Sequence, residues 1–242
     1  MDRSSRFSYD CNACGRCCRD KVITLSPYDL ISIAAAAGIA HSIAVERYTI
    51  RRGSILKFEQ TCVALEGTRC TIHSGRPLAC RLYPLGLERT ANRDESFVRL
   101  EPAPGSKGVY GESAAVRDFL DSQGVGEYLA MNARYRPLVA LMRARLDNLV
   151  DFEKVESREF WRRATREALA ESNYDRNPLI DALFDPERIG CLADSRAGTV
   201  ALQVPVLEKL IAAETNPDTI AAAAVMLAVS LGYSPAEAIG AR

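Results

Sequence analysis

Cysteine is the residue best placed to do chemistry in this chain, and its distribution is uneven. Seven of the eight cysteines fall between Cys11 and Cys80, and the eighth is Cys191. The densest run is Cys11-Asn12-Ala13-Cys14-Gly15-Arg16-Cys17-Cys18. A C-x2-C pair brings two thiolates to within about 4 Å around a tight turn, the reach of one metal ion with sulfur ligands at about 2.3 Å. Gly15 can supply the positive φ that such a turn uses. Cys11, Cys14 and Cys17 match the opening of the bacterial ferredoxin run, C-x2-C-x2-C, but the C-x3-C-P ending is absent and Cys18 follows directly. Adjacent cysteines direct their side chains apart in most backbone conformations. Cys17 and Cys18 are therefore expected to serve two neighbouring metals, or a cluster beside a second site.

A second group is Cys62, Cys70 and Cys80. Cys70-Thr71-Ile72-His73 has a C-x2-H spacing that also suits zinc, against the plainer reading of His73 as a packed or solvent-facing imidazole. Cys80 lies in Arg76-Pro77-Leu78-Ala79-Cys80-Arg81-Leu82-Tyr83-Pro84, where two prolines stiffen the backbone. The expected metal ligands are thus Cys11, Cys14, Cys17, Cys18, Cys62, Cys70 and Cys80. The expected cofactor is zinc or iron, the latter including an iron–sulfur cluster. Arg16, Arg19, Lys21, Arg69, Arg76 and Arg81 flank the thiolates and could offset their charge, with Arg16 and Arg81 best placed to donate N–H to sulfur. Cys191 reads as a small buried apolar residue.

The rest of the chain narrows the chemistry by what it lacks. There is no Gly-rich phosphate loop, H-E-x-x-H, nucleophile elbow, dinucleotide fingerprint or radical-type C-x3-C-x2-C run. Lys plus Arg and Asp plus Glu balance at 31 each, which gives no global electrostatic reason to expect nucleic acid or an anionic membrane as a partner. No apolar run reaches the roughly 20 residues needed to span a bilayer, and no apolar h-region follows Met1. These features point to a cytoplasmic protein, where thiols stay reduced and clustered cysteines favour metal over disulfides.

The elements that must position these residues divide near Gly111. Residues 1–110 read as a small, irregular, metal-centred module and residues 111–242 as a helical region, an α+β fold that is mostly α. Val22 to Leu25 and Ile55 to Phe58 are predicted strands, as are residues Phe97 to Leu100. Ser26-Pro27-Tyr28-Asp29 predicts a helix start, with Ser26 as N-cap, Pro27 at N1 and Asp29 as the acidic N3 partner, and Gly38 as the stop. A short helix follows from Ser42 to Tyr48, and 102–108 is a loop. Further helices are expected to begin near Ser113 and to cover Glu127 to Leu149, Arg158 to Glu171, Pro205 to Ala213, Pro217 to Ser230 and Pro235 to Ile239. Pro137 should kink or split the longest. Trp161 reads as helix core, and the charged stretch Glu153 to Glu167 as a solvated face with i, i+4 pairs.

The run at 11–18, then Cys62, Cys70-x-Ile72, and Arg76-Pro77-x-x-Cys80-Arg81-x-Tyr83-Pro84 together resemble the CxxCxxCC cysteine-cluster family, a YkgJ-type zinc- or iron-chelating domain. Weaker resemblance continues through Gly111, Val116, Phe119, Leu120, Gln123 and Tyr128. The cysteine pattern is also similar to that of flagellin lysine N-methylase. The resemblance implies a metal module and names no reaction. Many members carry a further Cys-Pro-Gly where this chain has Ala103-Pro104-Gly105; if that cysteine is a ligand, the resemblance implies a site here with either an open coordination position or a replacement, for which His73 and Cys191 are the candidates. Three functions follow: a protein that holds zinc or iron, a metal-dependent enzyme that modifies a protein or peptide side chain, and a metal-stapled interaction module. Closed four-thiolate sites suit the first and third. A centre with three protein ligands and an open position suits the second.

Overall fold

The helix predicted after Ser26 forms for the expected local reasons. The computed structural model describes residues 1–50, 53–89, 95–150, 155–169, 177–185 and 197–232. In it α1 spans Pro27–Ala37, with Ser26 Oγ accepting the Asp29 N–H, the Asp29 carboxylate returning to the Ser26 backbone, and Gly38 closing the helix in the left-handed region at φ 63°. A second helix, α2 (His41–Tyr48), leads into β2 (Thr49–Ile50), which pairs antiparallel with β3 (Ile55–Leu56). The strand expected at Val22 to Leu25 reduces to a bridge between Thr24 and Ile55. The Leu25 N–H reaches Ser54 O and the Leu56 N–H reaches Ile23 O. Those contacts satisfy the segment's backbone over two residues, and it then turns into the Ser26 cap.

One strand pair was not legible in the sequence: β1 (Arg6–Asp10) pairs antiparallel with β8 (Val109–Ala115) in the register Tyr9 to Tyr110. β1 alternates polar and apolar, Arg6-Phe7-Ser8-Tyr9-Asp10, but for five residues only, β8 does not alternate, and a partner about a hundred positions away leaves no local mark. The helix expected to begin near Ser113 therefore starts later, as α4 (Val116–Ser122). Between them lie two hairpins, β4 (Leu65–Glu66) with β5 (Arg69–Cys70), and β6 (Leu85–Arg89) with β7 (Glu95–Arg99), separated by the short α3 (Leu78–Leu82). Residues 102–108 are a loop, as expected.

The helical region follows. Helix α5 (Val125–Leu149) runs through Pro137 as one helix rather than dividing there. Its buried face is Tyr128, Met131, Tyr135, Leu138, Val139, Met142 and Leu146, while Leu141 and Leu149 are exposed. Then come α6 (Val155–Leu169), α7 (Pro178–Phe184), α8 (Ala197–Ala213) and α9 (Pro217–Ser230). Helix α7 was not foreseen. Asn177 caps it and Pro178 opens it, and Leu179, Ile180, Leu183 and Phe184 are buried. Trp161, Ala164 and Ala168 form the buried stripe of α6, and Arg163 with Glu167 makes an i, i+4 pair on its outer side. Helix α9 is buried all round from Ile220 to Ala228, so its alanines allow several helices to approach at once.

Among the described residues this is a mostly helical α+β structure with four two-stranded sheets. The larger apolar core joins Leu25, Leu30 and Ile33 of the first region to Tyr135, Met142 and the α9 face of the second. A smaller core of Phe7, Leu82, Leu85, Phe97, Phe119 and Leu120 lies beneath β1 and α4. No single described helix is long and apolar enough to cross a membrane. Cys191 and the helix expected at Pro235 to Ile239 lie outside the described residues.

Candidate metal centre

The first cysteine run is shaped by two residues in the left-handed region, Ala13 at φ 48° and Gly15 at φ 68°. Gly15 is required there on two counts. Its φ is one that side-chain-bearing residues rarely adopt, and a Cβ would press on Leu65 Cδ1 and Thr68 Cα at 3.3 Å. The turn then enters a 3-10 helix, Arg16–Cys18. Cys62 is tied to it by its own N–H, which donates to Cys18 O at 2.9 Å. Cys70 ends β5, opposite Leu65. Cys80 sits in α3, whose first N–H, that of Leu78, donates to Asp29 Oδ1 at 2.7 Å.

Asp29 therefore acts twice. One oxygen completes the α1 cap, accepting from Ser26 N and Oγ at 2.7 Å each, and the other fixes the start of the Cys80 helix. The sequence pattern announced the first role and gave no sign of the second. The carboxyl is fully enclosed, and burial raises its pKa despite these donors.

All seven thiols line one cavity of about 1530 Å³, together with His73 and Asp29. None is in a disulfide. Cys62 is buried, Cys14, Cys17, Cys18, Cys70 and Cys80 are half-buried, and Cys11 is exposed. Cys17 Sγ and Cys18 Sγ are 4.0 Å apart. That overturns the expectation that adjacent cysteines here point apart: the two sulfurs lie close enough to meet one ion. The separation is close to the edge of a tetrahedral zinc–thiolate site, about 3.8 Å for 2.3 Å bonds. Among the described residues, no three His, Cys, Asp or Glu side chains stand together in the geometry of one site. The donor set suits zinc or iron, and coordination would draw further thiols inward from the cavity wall.

Residues 10–99 match the family model described as "CxxCxxCC: Putative zinc- or iron-chelating domain". The chain carries a CxxCxxCC domain. No curated protein and no solved structure matches the chain, so the likeness to the flagellin methylase has no counterpart among these comparisons.

The electrostatics of the CxxCxxCC domain separate its thiols. Cys17 is lowered to about 7, first by the hydrogen bond from the Cys18 thiol and further by Lys21, and Cys18 is raised correspondingly. Cys14 is lowered by the backbone N–H groups of Arg16 and Lys107. Burial raises Cys62, Cys70 and Cys80, and for Cys80 the neighbouring Cys62 and Cys70 add to it. Raised thiols keep their protons until a cation displaces them.

The basic residues divide between charge compensation and scaffolding. Arg81 was expected to donate to sulfur. Instead its guanidinium donates to the carbonyls of Ser74, Arg76 and Gln123 and lies 4.5 Å from the centre of the Tyr128 ring. Arg76 donates to His73 O and to Gln123 Oε1, and its charge still reaches Cys70 and Cys80. Gln123 thus holds both arginines, a role with no motif to reveal it. Arg76 Nη1 is 3.2 Å from His73 Nδ1. A guanidinium can only donate, so Nδ1 accepts and the proton sits on Nε2. In that tautomer neither ring nitrogen has a lone pair free for a metal.

The loop carrying Ala103-Pro104-Gly105 closes over the first cysteine turn of the CxxCxxCC domain. Asn12 donates to Lys107 O, Gly105 lies against the Arg16 guanidinium, and Ala103 N–H donates to Tyr83 OH at 3.2 Å. Ser106 lines the cavity beside Cys14.

Proposed function

We propose that this protein binds zinc or iron through Cys11, Cys14, Cys17, Cys18, Cys62, Cys70 and Cys80. The supporting observation is that seven cysteines outside any disulfide, carried on separate turns, a strand and short helices, line one cavity. One tetrahedral ion takes four thiolates. Seven thiols around one cavity therefore favour more than one ion, or a polynuclear iron–sulfur centre. Cys17 and Cys18 share an ion on this reading, and one centre is incompletely closed by cysteine. The experiment is metal and sulfide analysis with an absorption spectrum on protein purified without oxygen. Iron, sulfide and visible charge-transfer absorption identify a cluster, and colourless zinc identifies thiolate sites. Protein with no stoichiometric metal from cells supplied with both would overturn the reading.

The size of the cavity favours a second reading, an enzyme in which an incompletely closed centre acts on a bound protein or peptide side chain. A zinc or iron ion takes up less room than a water molecule, whose share of the liquid is about 30 Å³. The 1530 Å³ here leaves space that metal and thiolates do not fill. A metal held purely as a staple needs no such space.

A further inference from the structure

The cavity does not end at the cysteines. Its wall includes one stripe of α5, Leu129, Asn132, Arg136 and Arg143, spaced three, four and seven residues apart, as one helix face requires. This stripe lies beyond residues 10–99, the part matched by the CxxCxxCC model.

Two of its side chains carry unmatched polar atoms. Asn132 is 7% exposed, and its Oδ1 has no hydrogen-bond partner. The Nε of Arg136 is likewise buried without a partner. Buried polar groups in folded proteins are almost always matched, so two unmatched ones on one cavity wall call for an explanation. The guanidinium of Arg136 is permanently charged and presents a planar fork suited to carboxylate or phosphate oxygens. An amide such as that of Asn132 can bind a hydroxyl, an amine or an acyl oxygen. Leu56, Phe58 and Leu129 supply apolar wall in the same cavity. Cavities that hold small organic ligands usually measure about 300–1,000 Å³, are mostly apolar and carry a few placed polar groups.

We propose that the α5 wall of the cavity is a subsite for a small organic molecule with an anionic oxygen head, a carboxylate or a phosphate, held by Arg136 and Asn132 with its apolar body along Leu56, Phe58 and Leu129. The subsite does not depend on the metal, and metal content measured on the same samples keeps the two proposals apart. A competing role for Arg136 is to face the carboxyl end of α9, Ser230 to Gly232, which also borders the cavity and carries partial negative charge.

The test is calorimetric titration of the full-length protein with hexanoate, hexyl phosphate and neutral hexanol, with a thermal melt and metal analysis on each sample. The expected result is saturable binding of one anion or both and none of hexanol. The tighter anion identifies the head group. Arg136→Gln should weaken that binding at least tenfold at unchanged metal content, Arg136→Lys less, and Asn132→Leu, which keeps the volume, by several-fold. If Arg136→Gln does not fold, the Lys and Leu variants carry the test. The proposal is overturned if neither anion binds or if hexanol binds equally well. It is also overturned if the variants bind like the wild type, including the case where Arg136→Gln lowers only the melting temperature because Arg136 serves the α9 end.

Discussion

Between Thr49 and Cys70 the strands are two residues long, whereas α5 alone runs for 25. The cysteine region is assembled from turns, bridges and side-chain bonds, with Asp29, Arg81 and Gln123 tying segments far apart in the chain. The helical region is assembled by burial, most completely at α9, where Ile220 to Ala228 are all enclosed. The contrast teaches where each region draws its stability. Short elements bury little apolar area and lean on specific bonds and, on the proposed reading, on metal. Long helices draw on the hydrophobic effect and need none.

Stripping the metal should break the comparison most sharply. Binding free energy at structural thiolate sites is on the order of 10 kcal/mol and counts as folding free energy. Hydrogen exchange after chelation should therefore rise across residues 1–100 and change little in α9 and the facing part of α5. Equal protection with and without metal would show that the cysteine region holds itself.

Next in size is a core truncation on the other side. Met142 is fully buried between α5 and its neighbours. Met142→Ala should cost about 2–5 kcal/mol in urea unfolding, while the metal content of the folded protein stays at the wild-type value. A drop in metal at low denaturant would mean that the two regions are not energetically distinct.

Asp29→Ala tests the tie between α1 and the Cys80 helix. It leaves the Ser26 and Leu78 N–H groups without their acceptor in a buried place, at about 1–3 kcal/mol per group left unmatched. Loss of stability should come with weaker metal retention, because α3 loses its anchor. A chelator competition assay reads this directly, and unchanged retention would count against the second role of Asp29.

The smallest effect is expected at the junction itself. Tyr28 OH donates to Glu127 Oε1 at 2.6 Å, linking α1 to α5, and the Tyr28 and Tyr128 rings meet edge to face at 4.8 Å. Tyr28→Phe keeps the ring contact and removes the bond, so about 1 kcal/mol should be lost with no change in metal content. A much larger loss would make this junction a principal support of the fold.

Much of this protein was legible in residue order alone. The capping box at Ser26 to Asp29, the stop at Gly38, the left-handed Gly15, the start of α9 at Pro217 and the core role of Trp161 all follow from interactions within about a turn of chain. So did the CxxCxxCC run, because its spacing is itself the motif. The tertiary structure alone decided the rest. It paired β1 with β8, set Cys17 and Cys18 side by side, gave Arg81 to backbone carbonyls instead of sulfur, and brought Asn132 and Arg136 to the same cavity as the cysteines. The physical reason is common to all four. Each depends on a contact between distant segments or on the shape of one particular turn, and such contacts leave no periodicity or spacing in the sequence that could announce them.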